Sequence, residues 1–253
     1  MTANQKSDKE TISRRQEVIE ILISYTPRPR IAREGFTRLG IFLGGALLMR
    51  WLAGRFKNKA LAAISRLASN LLLGAGLFGL YAYRHPHRIP MGNAPDYIYS
   101  PVDGTVQAIE EISEEPLFLG GPAYRIEIAS NLLSVPVQRT PLPGTVRYIY
   151  TQPKDQNYKL GLITENGTRL LLDMKPDSRS NLRLPSPLGE KEAILLRPEA
   201  GQSLGVTEHI GVRGFGVPTV TTLYLPTGGI DITGLKGMKV QAGKTILGRI
   251  KPA

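Results

Sequence analysis

Two apolar segments separated by a basic stretch constrain this chain more than any other feature. They cover residues 39–53 and 67–83, with Arg55, Lys57, Lys59 and Arg66 between them. Arg50 interrupts the first, and Ser69 and Asn70 lie near the start of the second. Runs like these form helices whose apolar surface needs either a protein core or lipid. Both fall short of the roughly 20 residues of a spanning helix. They are therefore expected to form a membrane-associated helical hairpin that dips into the bilayer, or spans it with local thinning. Gly44, Gly45, Gly74, Gly76 and Gly79 are small enough to let two helices approach closely. Arg50 can snorkel to the surface from near a helix end. Trp51, Tyr81 and Tyr83 read as interface anchors. The alternative is a hairpin buried inside a soluble protein.

Charge divides the chain in the same place. Up to residue 90 there are 15 Lys/Arg against 5 Asp/Glu, and from residue 91 onward 17 against 16. A nucleic-acid-binding protein carries its basic excess on its folded part. Basic residues beside apolar segments instead suit anionic headgroups. The expected partner is membrane phospholipid, and no nucleic acid is expected. Basic groups precede, separate and follow the apolar segments, which favours a shallow hairpin on the cytoplasmic face of the cell membrane. Residues 1–30 are polar, without the early apolar run and cleavage site of a secretory signal. Within them, 12–25 reads as a short amphipathic helix with Val18, Ile19, Leu22 and Ile23 on one face.

From Pro90 the character changes. Pro and Gly punctuate the chain every few residues, and runs rich in Val, Ile, Tyr and Thr lie between them. Strands are expected over 104–111, 124–129, 144–150, 158–165, 169–174, 193–196, 219–225 and 245–250. Asn166-Gly167 between two of them is a hairpin signal. The fold class is mainly β: one compact sandwich or barrel-like domain over 90–253, preceded by the hairpin over 31–89 and a polar segment over 1–30.

Chemistry-bearing residues are few. The chain has no Cys, which excludes disulfides, thiolate nucleophiles and cysteine metal sites, and three His alone argue against a metal. Asp103 lies in Ser100-Pro101-Val102-Asp103-Gly104-Thr105-Val106, a tight turn into a strand, where it serves either as a turn residue or as an acid/base group. His209 sits in the glycine-bounded segment 205–211. His85 and His87 flank Pro86 at the end of the apolar region and read as surface or headgroup-facing residues. Ser203 is an alternative nucleophile. Residues 237–248 place two glycine turns around short strands, as small carrier domains do, but Lys236 lacks the context of a carrier lysine.

Together these motifs resemble the short form of the phosphatidylserine decarboxylase family, over most of the chain from about Ile31. The segment 31–35 and the two apolar runs look like that family's membrane-associated start. Residues 83–90, Tyr-Arg-His-Pro-His-Arg-Ile-Pro, are similar to its aromatic-Arg-Asp-Pro-x-Arg-x-x-Pro junction. Residues 100–106 resemble Ser-Pro-Ala-Asp-Gly-x-Val. Residues 126–141 are similar to Ile-x-Ile-Phe-Met-Ser-Pro-x-Asp-Val-His-x-Asn-Arg-x-Pro. Residues 214–226 look like the segment Arg-Phe-Gly-Ser-Arg-x-x-x-Tyr-Leu-Pro, and 237–248 close the domain.

The resemblance implies a pyruvoyl-dependent decarboxylase of phospholipid biosynthesis, converting phosphatidylserine to phosphatidylethanolamine and CO2. In that family a serine hydroxyl attacks the preceding carbonyl, and β-elimination then leaves a pyruvoyl group that serves as an electron sink. This chain departs from the pattern at the decisive places. Gly216 is followed by Val217. Counting back from Pro226 puts Thr219 at the serine's place, preceded by Pro218; a threonine would give a 2-oxobutanoyl group. Pro136 stands at the family's His position and Ser134 at its Asp position. Arg139 and Asp103 are retained. The expected site is thus Asp103, Thr219 and His209 in catalytic roles, with Arg139 toward substrate. No cofactor is expected unless the self-derived pyruvoyl chemistry survives. The leading expectation is a decarboxylase-like protein without self-processing, as a homodimer or paired with an active paralogue. The alternatives are an active decarboxylase using Thr219 or Ser203, and a membrane-tethered β adaptor.

Overall fold

The computed structural model describes residues 30–31, 33–82, 84–86, 88, 90, 96–115, 117–152, 154, 156–179, 194–214 and 217–251. The amphipathic helix expected over 12–25, and His87, Phe215 and Gly216, lie outside the described residues.

Two long helices come first, α1 (Arg33–Arg55) and α2 (Lys59–Ala82). They are 23 and 24 residues long, so the sequence-based expectation of short segments is corrected. Polar residues lower the local hydropathy without breaking the backbone: Arg50 and Asn70 stay exposed, and the partner helix satisfies a buried one. Buried Ser69, for example, donates its hydroxyl to the Ala46 carbonyl at 2.8 Å. Asn58 caps α2 by accepting the Ala60 N–H at 2.9 Å. The helices pack antiparallel. A Cβ at Gly76 would lie 3.2 Å from the Phe42 Cβ, and one at Gly45 would lie 3.4 Å from Leu72. Gly44, Gly74 and Gly79 meet open space, so only two of the five expected glycines serve the contact. The short strands β1 (Arg30–Ile31) and β2 (Arg84–His85) pair and tie the two open ends of the hairpin together. Among the described residues, one helix is long and apolar enough to cross a membrane, Lys59–Tyr81 of α2. At 1.5 Å per residue it spans about 34 Å, against about 30 Å of bilayer hydrocarbon.

The rest is β structure. The strands are β3 (Tyr97–Tyr99), β4 (Gly104–Glu115), β5 (Gly121–Ser130), β6 (Val137–Arg139), β7 (Gly144–Gln152), β8 (Asn157–Ile163), β9 (Arg169–Pro176), β10 (Ile194–Leu196), β11 (Ser203–Leu204), β12 (His209–Arg213), β13 (Thr219–Pro226), β14 (Ile230–Ile232), β15 (Lys239–Val240) and β16 (Ile246–Ile250). Eight of them form one curled antiparallel sheet in the order β11-β7-β8-β9-β13-β5-β4-β15. Two three-stranded sheets, β10-β12-β6 and β14-β16-β3, complete the domain. The turn at Asn166-Gly167 joins β8 to β9, with Gly167 at φ 81°, as the sequence predicts.

Alternation along the strands sets the core. Ile126 and Ile128 of β5, Leu223 of β13, Leu172 and Met174 of β9 and Leu160 and Leu162 of β8 point to one face, and each is fully buried. Burying a side chain of this size contributes about 1.5–3 kcal/mol. Strand β9 is buried on its other face as well, which its unbroken Leu170-Leu171-Leu172 run reflects. There the β4–β5 hairpin tip folds back over the sheet. The carboxylate of Glu115, 2% exposed, accepts the N–H groups of Leu117, Phe118 and Leu119 at 2.8–3.1 Å. The Phe118 ring stacks on Tyr148 and presses against Gly161, where no Cβ would fit.

Candidate active site

The site is assembled from segments that are remote in sequence. Asp103 ends the turn that enters β4. Its carboxylate meets the guanidinium of Arg88 at both oxygens, Oδ2 with Nη2 at 2.6 Å and Oδ1 with Nη1. Oδ1 also accepts the Ala242 N–H at 2.7 Å, and Arg88 Nη1 donates to the Ala242 carbonyl at 3.0 Å. Both side chains are largely buried, at 11% and 14% exposed.

Arg139, the last residue of β6, lies beside this pair. Its Nη1 donates to the Thr207 carbonyl at 3.0 Å and its Nη2 to the Pro86 carbonyl at 3.3 Å. Burial lowers its pKa, the Arg88 charge lowers it further, and the Asp103 carboxylate offsets part of this. Gly243 closes the cluster. It sits at φ 67°, and a Cβ there would lie 2.8 Å from Arg139 Cδ and 2.9 Å from Thr207 Cβ.

Backbone hydrogen bonds lock the motifs together. Ser100 N–H donates to the Thr245 carbonyl at 2.8 Å, Gly243 N–H to the Ser100 carbonyl at 2.8 Å, and Arg139 N–H to the Pro101 carbonyl at 2.9 Å. Three motifs singled out in the sequence, 100–106, 126–141 and 237–248, therefore meet at one place, with Arg88 of the junction among them. The motif at 214–226 is one strand further on. Ser130 Oγ donates to the Asp103 carbonyl at 2.5 Å, and Ser130 pairs in register with Thr219 of β13.

The candidate residues separate on this frame. Asp103 and Arg139 are in the cluster. Thr219, 1% exposed, is the first residue of a strand paired on both sides, with Ser130 and with Pro176. His209 pairs with Arg139 across β12 and β6, and its Nε2 lies 2.8 Å from the Gly211 carbonyl. Ser203 is exposed on edge strand β11, opposite Thr145. Sequence reasoning missed the role of Arg88. It read that residue only as part of the junction, although an Arg two residues before the domain and an Asp in a tight turn were both visible signals. A separate cavity of about 230 Å3, lined by Arg125, Lys159, Leu171 and Tyr224 under the β4–β5 tip, is on the opposite face of β5 from Ser130.

No protein-family model matches the chain. Similar curated proteins do. A phosphatidylserine decarboxylase proenzyme of Salinibacter ruber is 30% identical over 194 residues, covering 71% of this chain and 79% of that protein. The chain belongs to the phosphatidylserine decarboxylase family. The proenzyme of Gluconacetobacter diazotrophicus is 31% identical over 72% of this chain and 80% of its own length. That of Symbiobacterium thermophilum is 29% identical over 236 residues, 88% of this chain and 97% of its own. Family membership thus covers the helices as well as the β domain. A solved structure of glucose permease IIA from Mycoplasma capricolum has a TM-score of 0.38 at 16% identity, covering 60% of this chain and 93% of its own, too low to define a shared fold.

Proposed function

We propose that this chain is a membrane-bound phosphatidylserine decarboxylase relative that binds phospholipid without making a pyruvoyl group. The observation that carries the reading is the engagement of Asp103. Both of its oxygens are held by Arg88, and one also by the Ala242 N–H. Such a carboxylate is a structural anion rather than a free base.

The residues around it do not fit pyruvoyl formation. Thr219 replaces the serine and lies in a strand paired on both sides, where a reactive turn is needed. Pro218 fixes φ just before it. Pro136, at the His position, has no group that can move a proton.

The hairpin supports the membrane attachment. Leu47, Leu48, Trp51, Ile64, Leu67, Leu71 and Leu77 are each more than half exposed on α1 and α2. An apolar surface of this extent calls for lipid. In this reading the protein sits on the cytoplasmic face, as a homodimer or beside an active paralogue.

Intact mass spectrometry of the detergent-solubilised protein tests the loss of self-processing. One species near 27.7 kDa is the expected result. Two chains, the second beginning at residue 219 or 203 with an oxo-acyl terminus, would overturn it and establish an active enzyme. A titration with vesicles bearing serine or ethanolamine headgroups, against neutral lipid, tests phospholipid recognition. Equal binding to all three would favour the plain adaptor.

A further inference from the structure

The loop joining β5 to β6 holds an apolar side chain outward on a hydrogen-bonded frame. Asn131 Oδ1 accepts the N–H groups of Leu133 and Ser134, each at 2.9 Å, and the Ser134 hydroxyl at 3.1 Å. From beneath, the guanidinium of Arg213, 4% exposed, donates to the carbonyls of Asn131 at 2.6 Å and Ser134 at 2.9 Å. From the side, Arg84 Nη2 donates to the Leu133 carbonyl at 2.8 Å. Three side chains, those of Asn131, Arg213 and Arg84, thus brace this loop, yet the side chain it presents, Leu133, is 53% exposed. Leaving a Leu in water forgoes its burial energy, and nothing in the packing of the described residues requires one here.

The third brace shows where this tip points. Arg84 Nη1 donates to the Tyr81 carbonyl at 3.0 Å, and the guanidinium lies 4.1 Å over the Tyr81 ring. One guanidinium therefore bridges the last turn of α2 and the Leu133 tip. The ring it covers, 51% exposed, and Leu77, 57% exposed, form the apolar end of that helix. An aromatic ring under an arginine at the end of an apolar helix is the arrangement found at the headgroup level of a bilayer.

We propose that the Leu133 tip is a second membrane-contacting element, inserting its side chain into the same leaflet from which α2 emerges. Its occupant is a phospholipid surface, because Arg84 ties the tip to the last turn of the helix that enters that surface. The tip would then act with the hairpin as a second anchoring point, fixing the tilt of the β domain and the direction in which the Asp103 cluster faces the headgroups. This inference rests on the reading that α2 lies in the membrane.

The chain contains one tryptophan, Trp51 on α1, which makes a two-probe test possible. The full-length protein is reconstituted into vesicles of phosphatidylcholine and phosphatidylglycerol, with or without bromine high on the acyl chains. Native Trp51 reports on the hairpin. In the double variant Trp51→Phe, Leu133→Trp, the new indole reports on the tip, and Leu133 is exposed enough to accept it without repacking the core. The expected result is quenching of both probes by brominated lipid, with a blue-shifted tip emission shielded from aqueous iodide. Quenching of Trp51 with an unquenched, iodide-accessible indole at 133 would overturn the proposal and leave the membrane reading of the hairpin standing. A tip indole unquenched by lipid but shielded from iodide would assign it to a protein partner and also overturn the proposal. If neither probe is quenched, both readings fail.

Discussion

Arg88 and Asp103, 15 residues apart in sequence, form a two-point ion pair beneath the Gly243 turn, closed by the Ala242 N–H. The pair joins the junction that follows α2 to the β domain. Removing one partner strands the other as a buried charge, which costs about 3–5 kcal/mol. Arg88→Ala is therefore expected to lower the melting temperature markedly. Arg88→Lys keeps the charge but loses the two-point geometry, and is expected to fall between. Thermal unfolding followed by circular dichroism separates the three proteins; equal melting temperatures would mean the pair holds nothing together.

The turn above the pair yields a matched comparison. Gly243 and Gly237 both adopt positive φ, at 67° and 84°, but only Gly243 is crowded, by Arg139 and Thr207. Gly237→Ala should cost only the left-handed conformation, about 1–2 kcal/mol. Gly243→Ala adds a clash and should cost more, displacing Arg139 as well. Denaturant unfolding of the two variants checks the order. A reversed order would show that the Arg139 side chain gives way freely.

The strands were legible in the sequence where alternation and turn residues agreed. The ranges around 104–111, 124–129, 144–150, 169–174 and 219–225 all became strands, extended by one to four residues. The extension of β4 to Glu115 was hidden because a buried carboxylate that holds three N–H groups looks, in sequence, like a surface acid. Short strands such as β6, β12 and β15 carry too few residues for a period to show. The helices were read too short because Ser69 and Arg50 lower hydropathy, while only the fold reveals that Ala46 satisfies Ser69. At the candidate site, the motifs announced Asp103 and Arg139. The grip of Arg88 depends on a long-range contact that no local pattern encodes.

The hairpin packing can be tested without background, since the chain has no cysteine. A Cβ at Gly76 would stand 3.2 Å from the Phe42 Cβ, close to the spacing of about 3.5–4.5 Å that a disulfide requires. Phe42→Cys with Gly76→Cys is expected to cross-link readily under mild oxidation. Phe42→Cys with Gly74→Cys places the second thiol where nothing approaches, and is expected to stay reduced. Mobility on non-reducing gels distinguishes them. Equal cross-linking in both would mean that the helices rotate against each other.

Thr219→Ser separates a wrong nucleophile from a missing catalytic set. The substitution removes one buried methyl and should cost about 1 kcal/mol, so the fold survives. It also supplies the residue from which a pyruvoyl group forms in the family. If the threonine were the only obstacle, the variant would cut itself and acquire a terminal carbonyl. We expect it to remain a single chain. Residue 219 still opens a strand hydrogen-bonded to β5 and β9, Pro218 still fixes the backbone before it, and position 136 still offers no proton acceptor. Adding Pro136→His then tests the proton acceptor alone, and cleavage of that double variant would place the defect at position 136. Cleavage of Thr219→Ser by itself, seen as two bands and a carbonyl-reactive fragment, would mean that the Asp103 cluster still supports the family's chemistry and that its engagement with Arg88 is no barrier.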